Sequence, residues 1–99
     1  MVDLYRITGF DWDSGNARKN EKHGVAQAEA EQVFFNEPLV LIADSEHSIV
    51  EPSFHALGIT DEGRHLHITF TLRFENTRLR VISARDMHRK ERDVYEKTG

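Results

Sequence analysis

The 99-residue chain has the length of a single domain with one small hydrophobic core, and we expect residues 1–99 to form that domain. Cysteine is absent, which excludes disulfides and thiolate chemistry, and no apolar run approaches the length of a membrane span. No secretory signal opens the sequence, so we expect a cytoplasmic protein without a membrane partner.

The formal charge of −4 conceals an uneven distribution along the chain. Residues 1–62 carry 4 Lys and Arg against 12 Asp and Glu, a balance of −8, whereas residues 63–99 carry 9 against 5, a balance of +4. A basic C-terminal third on an acidic body allows a local phosphate-binding surface, although the chain as a whole should bind long duplexes weakly.

The first third of the chain predicts one short strand and two helices. Residues 5–12 favour a short edge strand, and Asp13–Lys22 favours a polar helix that is capped by its first residue and ends at Gly24. A second helix is predicted over Ala26–Phe35, where apolar residues recur at i, i+4, i+7 and i+8, and the segment Asn36–Pro38 ends it.

Two strands are predicted next. Leu39–Ala43 is an apolar run of strand length, followed by a turn at Asp44–His47. A second strand begins just after Pro52 and ends near Thr60, because proline is excluded from the interior of a central strand. The polar segment Asp61–Gly63 then closes a hairpin into the following strand.

The strongest strand signal is strict alternation over Arg64–Phe74, which predicts one core face and one face available for contacts. The apolar set is Leu66, Ile68, Phe70, Leu72 and Phe74, and the polar set is His65, His67, Thr69, Thr71 and Arg73. Arg78–Arg85 returns antiparallel, and a charged helix follows from Asp86 to about Lys97. The predicted fold is α+β, with about four mostly antiparallel strands, two N-terminal helices and one C-terminal helix.

Three arginines of this hairpin, Arg73, Arg80 and Arg85, are predicted to lie in one region, where they require an anionic partner. Uniform alternation places Arg80 and Arg85 on opposite faces, so one of the two is structural. We favour Arg85 as the residue that also caps or braces the last helix. The alternative is that surface arginines only pair with nearby acids, as Arg92 would with Glu96 one helical turn later.

Several short motifs occur in a fixed order: FDWD at Phe10–Asp13, KHGV at Lys22–Val25, HS at His47 and Ser48, ALG at Ala56–Gly58 and ISAR at Ile82–Arg85, followed by Glu91, Arg92 and Tyr95. This ordered set resembles the BrnT family. The resemblance implies a RelE-like fold and a metal-independent endoribonuclease, the toxin of a bacterial type II toxin–antitoxin pair, which stops growth by blocking translation. It also implies a BrnA-like ribbon-helix-helix antitoxin, which binds operator DNA and masks the toxin.

The sequence departs from the family pattern at three places. Asn16 stands where the family usually has Lys, and many members have one more residue between the position of Asn20 and the KHG motif. The usual Glu-x-Arg is here Glu51, Pro52 and Ser53, so a frequent arginine is missing. If that arginine holds phosphate, this copy is a weakened or silent nuclease that acts mainly as an antitoxin-binding module in operon autoregulation.

A metal-independent ribonuclease directs the ribose 2′-OH at its own 3′-phosphate, which requires positive charge at the phosphorane, a base and an acid. Arg73, Arg80 and Arg85 can donate forked hydrogen bonds to phosphate oxygens, and Lys22 can add a point charge. No cofactor is implied.

The candidates for base and acid are His23, His47 and Glu51, which lie nearest the family motifs. Each has a structural alternative: His23 can satisfy carbonyls at a helix C-terminus, His47 can make local turn hydrogen bonds, and Glu51 can be a surface carboxylate. Trp12 is a candidate for stacking on an unpaired RNA base, with a core anchor as its alternative.

A metal site is the remaining hypothesis from sequence. His65 and His67 alternate onto one strand face, and His55 precedes them on the neighbouring strand. His-x-His without a nearby carboxylate or Cys is a weak metal signal, so we expect no metal here. A metal-dependent hydrolase using these three histidines would take up zinc tightly and lose its activity in chelator.

Overall fold

The computed structural model describes residues 3–13, 15, 23–44 and 52–98. A 3₁₀ turn at Leu4–Arg6 precedes seven elements, in the order β1 (Gly9–Phe10), α1 (Gln27–Val33), β2 (Val40–Asp44), β3 (Ser53–Ile59), β4 (His65–Arg73), β5 (Arg78–Asp86) and α2 (Arg89–Thr98). The α+β class predicted from sequence is confirmed. None of the described helices has the length and apolar character needed to cross a bilayer.

The sheet has five strands in the order β1-β5-β4-β3-β2 and is mixed. Strand β1 pairs parallel with β5, through Gly9 with Arg78 and Phe10 with Leu79, and the other neighbours are antiparallel. The predicted count of about four strands is therefore too low. The fifth strand is the predicted N-terminal edge strand, which is only two residues long and so gives almost no alternation to count.

The helices differ in part from the prediction. The predicted helix over Asp13–Lys22 lies largely outside the described residues, so one N-terminal α-helix is described rather than two. Helix α1 is shorter than predicted: Ala26 is its N-cap, and the Glu29 carboxylate accepts a hydrogen bond from the Ala26 N–H at 3.1 Å. Helix α2 begins three residues later than predicted, because β5 continues through Asp86.

Helix α1 packs on one face of the sheet and closes the core there. The buried cluster contains Val25, Ala30, Val33, Ala56, Leu66, Ile68, Phe70, Leu79, Val81 and Ala84. At Gly58 a Cβ would lie 2.6 Å from the Val33 Cγ1, so only glycine allows the helix to approach β3 this closely. Burying these side chains is the main source of stability in a domain without disulfides.

The alternation predicted for β4 holds in the middle of the strand and fails at its end. Leu66, Ile68 and Phe70 are completely buried, but Phe74 is 69% exposed. The backbone turns left-handed over Phe74–Asn76, with φ of 53°, 56° and 67°, which takes Phe74 out of the strand. The opposite face is less open than predicted, since His67 and Thr71 retain only 8% and 3% exposure.

A β-bulge in β5 decides which arginines share a face. Thr69 pairs with Ser83 and Phe70 pairs with Val81, so Ile82 is an extra residue without a partner on β4. The alternation therefore shifts by one at Ile82. Arg80 and Arg85, which uniform alternation places on opposite faces, both lie on the face opposite α1, whereas Val81 and Ala84 both reach the core.

Candidate functional site

The face of the sheet opposite α1 gathers the polar side chains of four strands, and we call it the polar face. Its rows follow from the strand registers: Leu57, His67 and Arg85 form one row, His55, Thr69 and Ser83 the next, and Ser53, Thr71 and Arg80 the third. Arg73 lies beyond the third row, opposite Arg78. Successive rows are about 7 Å apart, because residues i and i+2 of a strand share a face.

A continuous hydrogen-bonded series crosses the middle of this face. The His55 Nε2 lies 3.1 Å from the Asp44 Oδ2, and the His55 Nδ1 lies 3.1 Å from the Thr69 Oγ1. An ionised carboxylate can only accept, so Nε2 carries a proton, and in the neutral ring Nδ1 then accepts from the threonine hydroxyl. The Asp44 side chain is 10% exposed and that of His55 28%, so the imidazole is more accessible to solvent than its carboxylate partner.

His67 lies beside His55, with ring centroids 4.8 Å apart. Burial lowers the pKa of His67 to about 4, and the positive charge of Arg85 acts in the same direction against the attraction of Glu91. The His67 ring is therefore neutral at pH 7. Within the described residues, its buried Nδ1 has no hydrogen-bond partner.

Arg85 binds the first turn of helix α2. Its Nη1 and Nη2 donate to the two carboxylate oxygens of Glu91 at 2.8 and 2.9 Å, and Nη1 also donates to the Asp86 carbonyl at 3.0 Å. Burial alone would raise the pKa of Glu91, but hydrogen bonds from Arg85 and from the His88 N–H hold that pKa at about 2. This bidentate contact is the brace that the sequence suggested for Arg85.

Arg80 is held by the N-terminal segment. Its Nε and Nη2 donate to the Asp11 Oδ2 at 3.0 and 2.7 Å, and its Nη1 lies 4.0 Å from the Asp13 Oδ2. Carboxylates therefore neutralise both Arg80 and Arg85. The ion pair predicted between Arg92 and Glu96 is also present on the exposed side of α2, where the Arg92 Nε donates to the Glu96 carboxylate at 3.1 Å.

The remaining predicted site residues are dispersed or outside the described part. Lys22, His47 and Glu51 lie outside the described residues. His23 is exposed in the turn before α1, where the neighbouring Gly24 carbonyl accepts a hydrogen bond from Arg64 at 2.8 Å. Arg73 is half-buried at the end of β4. The roles proposed for these residues stay predictions.

Trp12 has the contacts of an anchor. It is partly buried against the core cluster, and its indole N–H donates to the Glu31 carboxylate at 2.8 Å. Stacking of Trp12 on an RNA base stays a prediction, since these contacts leave only part of the ring accessible.

The three histidines considered for a metal site do not converge. His65 packs edge-on against Tyr95 with ring centroids 5.6 Å apart, whereas His55 and His67 stack on each other. Among residues 3–13, 15, 23–44 and 52–98, no group of three or more His, Asp and Glu side chains has the arrangement of a metal site.

Ser53 is buried beside the acidic end of the polar face. The residue is only 7% exposed, and its Oγ lies 3.5 Å from the Asp44 Oδ2, at the limit of a hydrogen bond. An arginine introduced at this position would have the Asp44 carboxylate, the partner of His55, within reach.

The sequence interpretation missed Asp44 and Thr69 as partners of His55, and Asp11 as the partner of Arg80. A turn at Asp61–Gly63 with regular antiparallel pairing on both sides sets His55 opposite Thr69, so the contact between these two residues could have been predicted from the hairpin register. Asp11 was not, because it is 69 residues from Arg80 in the chain.

Comparison with known proteins agrees with the motif order. A family model described as "Ribonuclease toxin, BrnT, of type II toxin-antitoxin system" matches residues 12–91. A search among curated proteins finds no match. The matched segment includes β2 to β5 and the first turn of α2, and thus every strand residue of the polar face. The chain therefore belongs to the BrnT family of ribonuclease toxins of type II toxin–antitoxin systems.

Proposed function

We propose that this chain is a metal-independent endoribonuclease whose active surface is the polar face, and that it inhibits translation and growth until a ribbon-helix-helix antitoxin binds it. Family membership supports the ribonuclease class and an antitoxin partner. The observation that carries the proposal is the bulge at Ile82. It brings Arg80 and Arg85 to the same face as Arg73, on either side of the row that contains His55.

This spacing suits a single phosphodiester. The rows of Arg85 and Arg80 are each one step, about 7 Å, from the row of His55 and Thr69, so long guanidinium side chains on both sides can reach a phosphate held between them. Phosphorane formation adds negative charge to the nonbridging oxygens, and forked donors stabilise that charge most where water is partly excluded.

The hydrogen bonds to carboxylates occupy only some of the guanidinium nitrogens of Arg80 and Arg85. In the described part of the chain, Arg80 bonds to Asp11 through Nε and Nη2, and Arg85 bonds to Glu91 and a carbonyl through Nη1 and Nη2. Among the described residues, the Nε of Arg85 makes no hydrogen bond, and the Nη1 of Arg80 has only the longer 4.0 Å contact with the Asp13 Oδ2, so we propose these two nitrogens as the donors to a ligand. The ion pairs thus orient the guanidinium planes, at the cost of weaker attraction for phosphate.

The same ion pairs favour a second candidate function. With Arg80 and Arg85 neutralised and serine at position 53, the polar face carries little net positive charge for RNA. A chain of this kind would act mainly as an antitoxin-binding module in operon autoregulation, reaching operator DNA only through the antitoxin.

RNA cleavage in EDTA separates the two functions. We expect the purified chain to produce 2′,3′-cyclic phosphate and 5′-hydroxyl ends, and Arg80→Gln to reduce the rate roughly 100-fold, the usual effect of losing one charge-stabilising donor. Arg92→Gln is the matched control, because it removes an ion-paired arginine outside the polar face, and its rate should stay within about twofold of wild type.

Ser53→Arg tests whether the missing arginine limits activity. If neither wild type nor this variant cleaves RNA, while both bind the product of a neighbouring ribbon-helix-helix reading frame, the nuclease proposal is wrong for this chain and the binding-module proposal stands. Growth arrest on expression, relief by coexpressed antitoxin and inhibition of cell-free translation test the remaining parts of the proposal.

A further inference from the structure

We propose that His55 is the general base of this reaction, that Asp44 is its positioning residue, and that the Thr69 hydroxyl marks the place of the attacking ribose 2′-OH. This inference rests on the proposed ribonuclease function and deepens it. The geometry points to these three residues because they form one series, carboxylate to imidazole to hydroxyl, with both hydrogen bonds at 3.1 Å.

The tautomer follows from the partners. Asp44 holds the proton on Nε2 and thereby leaves the lone pair of Nδ1 directed at a hydroxyl group. Asp44 is almost buried, so it holds the ring in one orientation, and Ser53 adds a contact to the same carboxylate oxygen at 3.5 Å.

Exposure distinguishes His55 from its neighbour His67. The His55 side chain is 28% exposed and Thr69 is half-buried, so a substrate hydroxyl can replace the threonine hydroxyl at Nδ1. His67 is buried, its Nδ1 has no hydrogen-bond partner among the described residues, and its neutral ring lies against that of His55, tilted by 36°. The phosphate would lie between the rows of Arg80 and Arg85, next to the hydroxyl that His55 deprotonates.

The chemical step balances without a metal. The His55 Nδ1 takes the proton of the 2′-OH while the 2′-oxygen forms a bond to phosphorus. The bond from phosphorus to the 5′-oxygen breaks, and its electron pair leaves with that oxygen, which takes a proton from water. The products are a 2′,3′-cyclic phosphate and a 5′-hydroxyl, and deprotonation of the imidazolium by solvent restores the base.

Single-turnover cleavage as a function of pH tests the inference. In the described structure, the titratable and charged groups around His55 are Asp44 on β2 and His67 on β4, with Arg85 on β5 and Glu91 on α2 behind them. We expect the wild-type rate to fall at low pH with a single acid limb. His55→Gln should reduce the rate by roughly 100-fold or more and lose that limb, with RNA affinity within about threefold of wild type.

Asp44→Asn keeps the shape of the side chain and removes its charge. If His55 is the base, this variant should cleave on the order of 10-fold more slowly, and its acid limb should move to lower pH, because the imidazolium loses its counterion. This shift decides the question even if His55→Gln fails to fold. His88→Gln is the control, since this exposed histidine contacts Glu91 only through its backbone N–H, and its rate should match wild type.

Three results would overturn the inference: the first two leave the proposed ribonuclease function standing, and the third does not. Cleavage by His55→Gln within about threefold of wild type, or an acid limb unchanged in Asp44→Asn, removes His55 from the chemistry and leaves the ribonuclease proposal intact. If neither the wild-type chain nor Ser53→Arg cleaves RNA, both the role of His55 and the ribonuclease proposal are wrong.

Discussion

The contact between Arg85 and Glu91 makes a specific prediction about stability and its dependence on pH. Glu91→Gln keeps the size of the side chain but removes the charge that accepts two hydrogen bonds from Arg85 and one from the His88 N–H. The substitution leaves a half-buried guanidinium with a weaker partner and removes an anion from the N-terminal turn of α2. We therefore expect α2 to be held less firmly on the sheet.

The magnitude follows from the pKa of Glu91. A fall from the ordinary 4.5 to about 2 corresponds to ~3 kcal/mol, since one pKa unit is 1.36 kcal/mol. The side chain retains 25% exposure, and solvent screening reduces that upper limit, so we expect Glu91→Gln to lower the free energy of unfolding by ~1–2 kcal/mol at pH 7. Because the folded-state pKa is lowered, this stabilisation is complete above about pH 4.5 and disappears as the pH falls towards 2.

Urea unfolding followed by circular dichroism measures this difference. The gap between wild type and Glu91→Gln should be constant from pH 7 to about pH 5 and should narrow below pH 4.5. Glu96→Gln is the matched control on the same helix, because its pair with Arg92 is more than half exposed, and its effect should stay within about 0.5 kcal/mol. Equal stability of Glu91→Gln and wild type at pH 7, or a gap that persists unchanged to pH 3, would refute the reasoning.

Two further stability predictions follow. Burial lowers the pKa of His67 to about 4, so the folded state resists protonation of this ring, and the free energy of unfolding should decline as the pH falls from 6.5 towards 4. In thermal melts at several pH values, His67→Phe should show a weaker decline than wild type. An identical decline in the two proteins would contradict this prediction. Gly58→Ala places a Cβ 2.6 Å from Val33 and should cost ~1–3 kcal/mol in urea unfolding, less when combined with Val33→Ala. Additive effects of the two substitutions would argue against a direct clash.

The central hairpin was predictable because local chemistry specifies it. Alternation over β4 identifies Leu66, Ile68 and Phe70 as core, and the turn at Asp61–Gly63 limits the register with β3. The orientation of Arg80 relative to Arg85 was not predictable, since Val81, Ile82 and Ala84 are all apolar enough to face the core and the pattern does not identify the bulged residue.

The charges of the site depend on contacts that a one-dimensional pattern does not contain. Arg80 is neutralised by Asp11, which β1 brings beside β5, and Arg85 by Glu91, which lies across the bend into α2. A count of basic residues in the C-terminal third therefore overstates the positive charge that phosphate would meet on the polar face.

The extra residue at Ile82 makes the length of this segment more important than its composition. Deletion of the Ile82 codon would remove the bulge and restore regular alternation along β5. The residues on one side of the deletion would then exchange faces, which would place an arginine in the core or expose apolar side chains to solvent. Replacement of Ile82 by another aliphatic residue would do neither. If expression of this chain is lethal, survivors should carry in-frame deletions here far more often than conservative replacements at the same codon.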